Sequence, residues 1–177
     1  INIKAFYMVV FPNAKINIGL SVVEKRQDGF HNLETVFYPV GLCDILELNE
    51  AAGKPGEYLF RNTGIDTDCP EKDNLVIRTY RLLADKFELP AVQIHLHKVI
   101  PFGAGLGGGS SDASFMLKAL NEYFELGISE EELIKQASVL GSDCAFFISN
   151  RPAFASGKGD ILEKIELSLE EYRFVIV

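Results

Sequence analysis

The chain has 177 residues, 47% hydrophobic and 24% charged, a composition ordinary for a globular protein of one domain or slightly more, with room for a core. Its net charge of −8 argues against a general nucleic-acid or anionic-membrane binder, which depends on clustered Lys and Arg. A nucleotide, which needs only local donors, is not excluded.

No apolar run reaches transmembrane length, and Ile1 to Phe11 lacks a cleavage site with a matching basic region. Cys43, Cys69 and Cys144 show no metal spacing and read as reduced thiols. A soluble cytoplasmic protein is expected.

In chain order, Tyr7 to Phe11 and Ile16 to Val23 are apolar, β-branched runs split by Pro12-Asn13, which predicts two strands joined by a turn. Gln27-Asp28-Gly29 marks a second turn. Glu34 to Val40 and Asp44 to Leu48 read as further strands, with a short one over Tyr58 to Arg61. Pro70 to Asp73 leads into a helix with Val76, Ile77, Tyr80, Leu83 and Phe87 on one face, and Asp73 is expected as its N-cap. Val92, Ile94 and Leu96 alternate with Gln93, His95 and His97, which predicts a half-buried strand whose histidines face water.

Pro101 to Ala113 follows, with five glycines (Gly103, Gly105, Gly107, Gly108, Gly109) within seven positions. Glycine permits positive φ and close approach of a ligand, and free N–H groups at a helix N-terminus cradle anions. The segment reads as a phosphate-binding loop. Beyond it, Ala113, Met116, Leu117, Leu120 and Phe124 mark one helix face, and Ser129 to Glu132 fits the capping box of another helix, stopped near Gly141. Cys144 to Ile148, Ala153 to Ala155, Ile161 to Ile165 and Phe174 to Val177 are short apolar stretches, expected as strands or a short helix. The apolar ending reads as a cut inside a longer protein.

Gly103 to Gly108 satisfies the dinucleotide fingerprint, and Glu125 stands at a plausible distance beyond it. The fingerprint needs a second strand there, whereas Leu126-Gly127-Ile128 runs into the capped helix. No Lys follows the glycines as in a Walker loop, and no HRD or DFG tripeptide is present. What remains is a glycine loop with Ser110, Ser111 and Asp112 at a helix start. The two serines can donate to phosphate oxygens or ligate Mg²⁺, and Ser110 or Asp112 can equally cap the helix.

Other residues admit two readings each. Asp143, after the helix stop and amid apolar Cys144 to Phe147, is a poorly hydrated acid suited to general-base work, or a helix N-cap. Lys15, in a strand, either snorkels outward or points into a charged site. Asn17, two residues on, shares its face.

With these pieces in place, Pro101 to Ala113 resembles the Pro-x-x-x-Gly-Leu-Gly-Ser/Gly-Ser-Ser-x-Ala motif of the GHMP family of small-molecule kinases. Pro12 to Leu20, Arg26 to His31, Asp73-Asn74-Leu75 and Leu140 to Phe147 are similar to signatures of the branch whose acceptor is 4-diphosphocytidyl-2-C-methyl-D-erythritol. The resemblance runs from about Val9 to the end.

It implies an α+β chain with the ribosomal protein S5 domain 2-like fold of the GHMP N-terminal ATP-binding domain over residues 1–177. A C-terminal domain that completes the substrate cleft is expected beyond this chain. The implied activity is ATP- and Mg²⁺-dependent phosphorylation of the acceptor's 2-hydroxyl in the non-mevalonate isoprenoid pathway. Alternatives are a homoserine- or mevalonate-type kinase, or, for this stretch, a nucleotide-binding module without turnover.

By the same resemblance Asp143 is the general base, Lys15 lowers the acceptor's pKa and stabilises developing charge, and Asn17 binds substrate or orients Asp143. His31 reads the cytosine edge, and Phe30, where the family often has Tyr, stacks on it or walls the pocket. ATP falls to Asn74, Lys98, Pro101, Gly103, Ala104, Gly105, Leu106, Gly107, Gly108, Gly109, Ser110 and Ser111, with Ser110 on the metal. Asp112 is assigned a cap. A small-molecule substrate is the expected partner, with neither nucleic acid nor membrane.

Overall fold

The computed structural model describes residues 7–27, 29 and 31–176. Among the described residues, eight strands and four α-helices follow one another as β1 (Met8–Val10), β2 (Asn13–Lys25), β3 (His31–Cys43), β4 (Ile45–Glu50), β5 (Tyr58–Gly64), α1 (Leu75–Phe87), β6 (Val92–Lys98), α2 (Gly108–Tyr123), α3 (Glu130–Leu140), α4 (Cys144–Ser149), β7 (Ala153–Ser156) and β8 (Ile161–Lys164). One sheet has the order β1-β4-β6-β5, antiparallel except for the β5–β6 pair, and the other, β2-β3-β7-β8, is antiparallel throughout.

The first two strands are not a hairpin. β1 and β2 enter different sheets, and so do β3 and β4, with Asp44 alone between the latter pair. The two crossings meet, because Asp44 N–H donates to the Pro12 carbonyl at 2.9 Å. Pro12 offers an acceptor without a competing donor, so the chain can part there without leaving an unpaired N–H.

The larger core lies between the first sheet and the helices. The even positions of β6, Val92, Ile94 and Leu96, are buried with Leu46 and Leu48 of β4 against Val76, Ile77, Tyr80 and Leu83 of α1 and Met116, Leu117 and Leu120 of α2. That follows from period-2 alternation meeting a helical stripe. At 25 cal/mol per Å², each fully buried Leu, Ile or Met adds about 1.5–3 kcal/mol. A smaller aromatic cluster, Phe37, Phe146 and Phe147 with Ala153 and Ala155, joins α4 to the second sheet.

Three local expectations change. The N-cap of α1 is Asn74, whose side chain accepts from Val76 N–H at 2.9 Å, while Asp73 belongs to a 3-10 turn, Glu71–Asp73. His95 and His97 point away from the core yet are engaged: Thr63 Oγ1 lies 2.8 Å from His95 Nε2 and 2.9 Å from His97 Nδ1, and Glu47 lies 2.8 Å from His95 Nδ1. Phe174 to Ile176 forms no strand, and Phe174 instead sets its ring 6.1 Å from that of Tyr38. The expected cap of α3 is present, with Ser129 accepting from Glu132 N–H at 3.3 Å.

Candidate functional site

The glycine loop runs from the end of β6 into α2. Gly103, Gly105 and Gly107 all have positive φ, at 71°, 74° and 71°, and Gly107 is the N-cap of α2. A Cβ on Gly107 would stand 2.9 Å from the Phe147 ring and 3.2 Å from Lys15 Cγ. On Gly108 it would stand 2.9 Å from Ile100 Cγ2 and 3.3 Å from Lys98 Nζ. Close approach therefore demands glycine at both positions.

Asn74 and Leu75, at the start of α1, and the loop from Pro101 to Ser110 line one cleft of about 410 Å³, floored by Leu96, Lys98, Ile100 and Asp112. Two helix N-termini thus open onto the same space, each presenting a positive dipole end. Ser111 is not among its lining residues; its hydroxyl is buried with no hydrogen-bond partner.

Beneath the loop lies a buried triad of charges. Lys98 Nζ donates to Asp44 and, at 2.7 Å, to Asp112 Oδ2, and all three side chains are at least nine-tenths buried. Asp44 is also held by the N–H groups of Val99 and Ile100. Asp112 is therefore not a cap: α2 has no side-chain cap, and the carboxylate turns inward to Lys98. Burial pushes its pKa up to about 7 against the pull of Lys98. Asp44 escaped the sequence reading. Its one signal was an acid set among the apolar residues of Gly41 to Leu48.

A second constellation adjoins the loop. Lys15 is 5% exposed, and its ammonium donates to Asn17 Oδ1, stands 3.5 Å from Asp143 Oδ2 and lies 4.5 Å over the Phe37 ring. Lys15 and Asn17 meet because alternate residues of a strand share a face. Asp143 occupies the N-cap position of α4 but makes no side-chain cap bond. It keeps a 27% exposed side chain turned to Lys15. The backbone links the two parts of the site, with Lys15 N–H donating to the Leu106 carbonyl at 2.9 Å.

His31 is not brought to this pair. It is exposed at the start of β3, opposite Lys25, whereas Lys15 pairs with Pro39. Pro39 lies eight positions along β3 from His31, roughly 26 Å of strand. Irregular register around Ile18/Leu20 and Val22/Glu24 bends that hairpin. Phe30 lies outside the described residues. Among the described residues no group of three or more His, Cys, Asp or Glu side chains could hold a metal. The cleft lining offers a metal single, separate donors, the Ser110 hydroxyl and the Asp73 and Asp112 carboxylates among them, rather than a cluster.

Residues 74–157 match the GHMP kinases N terminal domain. The chain is 54% identical, over 96% of its length, to 4-diphosphocytidyl-2-C-methyl-D-erythritol kinase of Bacteroides thetaiotaomicron, and 51% identical over the same share to that of Bacteroides fragilis. It covers 62% of each relative, so it spans about three fifths of their length. Among solved structures, a 4-(cytidine 5'-diphospho)-2C-methyl-D-erythritol kinase superposes with a TM-score of 0.78 at 36% identity, covering 91% of this chain and 56% of that one.

Proposed function

We propose that the chain belongs to the GHMP kinase family and that the protein of which it is part phosphorylates the 2-hydroxyl of 4-diphosphocytidyl-2-C-methyl-D-erythritol from ATP. The observation that carries this reading is the junction of a glycine-loop cleft with the Lys15–Asp143 ion pair, one backbone hydrogen bond apart. Residues 1–177 are then the N-terminal ATP-binding domain. The remainder of the relatives' length supplies a C-terminal domain that completes the acceptor cleft.

Phosphoryl transfer needs positioning and charge neutralisation more than covalent chemistry. The N–H groups from Gly103 to Ser110 hold the phosphates, and Asn74 with Leu75 walls the nucleoside side. Lys98 lines that cleft with its charge already matched by Asp44 and Asp112, so it shapes the floor under Gly108.

Asp143 accepts the proton of the acceptor hydroxyl. Lys15, fixed by Asn17 and Phe37, holds Asp143 in place and faces the charge that develops on the attacking oxygen. His31, with Phe30, takes the cytosine end of the acceptor along the hairpin. Mg²⁺ fits as a cation carried by the nucleotide's phosphates with Ser110 as its protein ligand, since that ion tolerates few protein donors. When bound, it neutralises phosphate charge. A cytoplasmic location accords with these small-molecule substrates, and no helix among the described residues is long and apolar enough to cross a membrane.

The test is ADP release by the full-length protein with ATP and Mg²⁺ on the cytidyl acceptor, homoserine and mevalonate. Turnover on the cytidyl acceptor alone, lost in Asp143→Asn, is expected. Turnover on homoserine or mevalonate instead would overturn the substrate assignment. Full activity in Asp143→Asn would overturn the base.

A further inference from the structure

At six residues, α4 is too short to hold its shape by its own hydrogen bonds. Yet Asp143 at its leading end must stay fixed against Lys15. One face of α2 grips it. Residues 110, 114 and 118 recur every four positions of α2 and lie one above another. The Ser110 hydroxyl and the Cys144 thiol both border Gly141, where a Cβ would stand 3.7 Å and 3.2 Å from them. The Ser114 hydroxyl, fully buried, lies 2.7 Å from the Cys144 carbonyl and 2.8 Å from that of Ser110. Its single proton serves the first carbonyl of α4 and the backbone of α2.

At the other end of α4, Lys118 Nζ donates to the carbonyls of Phe147 at 3.0 Å and Ile148 at 3.4 Å, and sits 4.1 Å over the Phe115 ring. Asn150 N–H takes the Phe146 carbonyl at 2.8 Å, so Lys118 serves the two carbonyls that follow. Burial pulls the Lys118 pKa down, with Glu130 opposing. A half-buried cation held by carbonyls costs stability that an apolar side chain would not, which argues for a positional use. From its other side α4 presses the Phe147 ring against Gly107.

We infer that Lys118 and Ser114 are positioning residues: with Ser110 they form a rack that fixes α4, and Asp143 with it, relative to the phosphate loop at the head of α2. This rests on the reading of Asp143 as the base. Lys118→Met keeps the stem over Phe115 and removes the donor. In the full-length protein, kcat, both KM values and the stoichiometry of nucleotide binding are measured for this variant and for Lys118→Arg.

The expected result is a ten- to hundredfold lower kcat per intact site in Lys118→Met, as for an angstrom-scale misplacement. Both KM values should stay within threefold of wild type, and Lys118→Arg should recover most of the loss. Ser114→Ala, expected to lose about fivefold by the same route, keeps the test open if Lys118→Met does not fold. Unchanged kcat per intact site, or a loss that Lys118→Arg does not lessen, overturns the rack. Asp143→Asn is assayed alongside. If it is inactive and Lys118→Met is normal, only the rack falls, and if it is fully active, the base assignment falls first.

Discussion

Lys15 N–H donates to the Leu106 carbonyl at 2.9 Å, so the strand that carries the buried ammonium is tied to the glycine loop. The Lys15 side chain also runs past Gly107, where a Cβ would stand 3.2 Å from its Cγ. The two halves of the site are therefore set against each other by backbone, before any ligand arrives. That is the preorganisation that makes charge stabilisation effective at no cost in rearrangement.

Lys15→Met should remove the charge facing Asp143 while leaving this backbone bond. Turnover in the full-length protein is expected to fall by about 10²–10⁴, the range for a charge or proton-transfer group acting in the transition state. The KM for ATP should change little, because the loop N–H groups are untouched. A rise in KM with kcat unchanged would assign Lys15 to binding alone.

Gly107→Ala and Gly105→Ala form a matched pair. Both residues have positive φ, 71° and 74°, but only at Gly107 would the new Cβ meet neighbours, at 2.9 Å from Phe147. Gly105→Ala should cost about 1 kcal/mol of backbone strain, and Gly107→Ala about 2–4 kcal/mol with overpacking added. Denaturant melts of the two variants check the order. Equal losses would mean that Phe147 yields freely.

What the sequence revealed and what it hid separate along chain distance. The glycine loop, the Lys15–Asn17 alternation and the Ser129 cap depend on neighbours within a few residues, and each was readable from spacing. For Asp143 spacing left a cap and a base open, and the structure shows no side-chain cap bond and a contact with Lys15 at 3.5 Å. The triad was hidden, because Asp44 meets Lys98 across 54 residues and nothing local marks the pairing. Asp112 looked like a cap for the same reason: its position fits one, and only the buried ammonium explains why it turns inward. Pro12-Asn13 announced a bend but not that the strands on either side join different sheets.

Asn74→Ala tests the cap of α1 apart from the chemistry. Loss of the Asn74 bond to Val76 N–H should cost about 1 kcal/mol. Because Asn74 also walls the cleft, nucleotide affinity should weaken with it, whereas Asn74→Asp should keep the cap. Equal melting temperatures for wild type and Asn74→Ala would show that tertiary packing alone holds this helix end.

The buried triad makes stability depend on pH in a direction unusual for a carboxylate near a lysine. The Asp112 pKa is raised from 3.8 to about 7 in the folded protein, with burial the largest cause. Between these values the folded chain binds the proton and the unfolded chain does not. The contribution of Asp112 is therefore complete below about pH 4 and is lost as pH rises through about 7. Asp112→Asn fixes the neutral form and leaves Lys98 paired with Asp44. Its melting temperature should fall less than that of wild type between pH 5 and pH 8, so that the variant is the more stable of the two at pH 8. Parallel curves for the two proteins across that range would mean that Asp112 stays ionised beneath the loop, and that Lys98 outweighs burial.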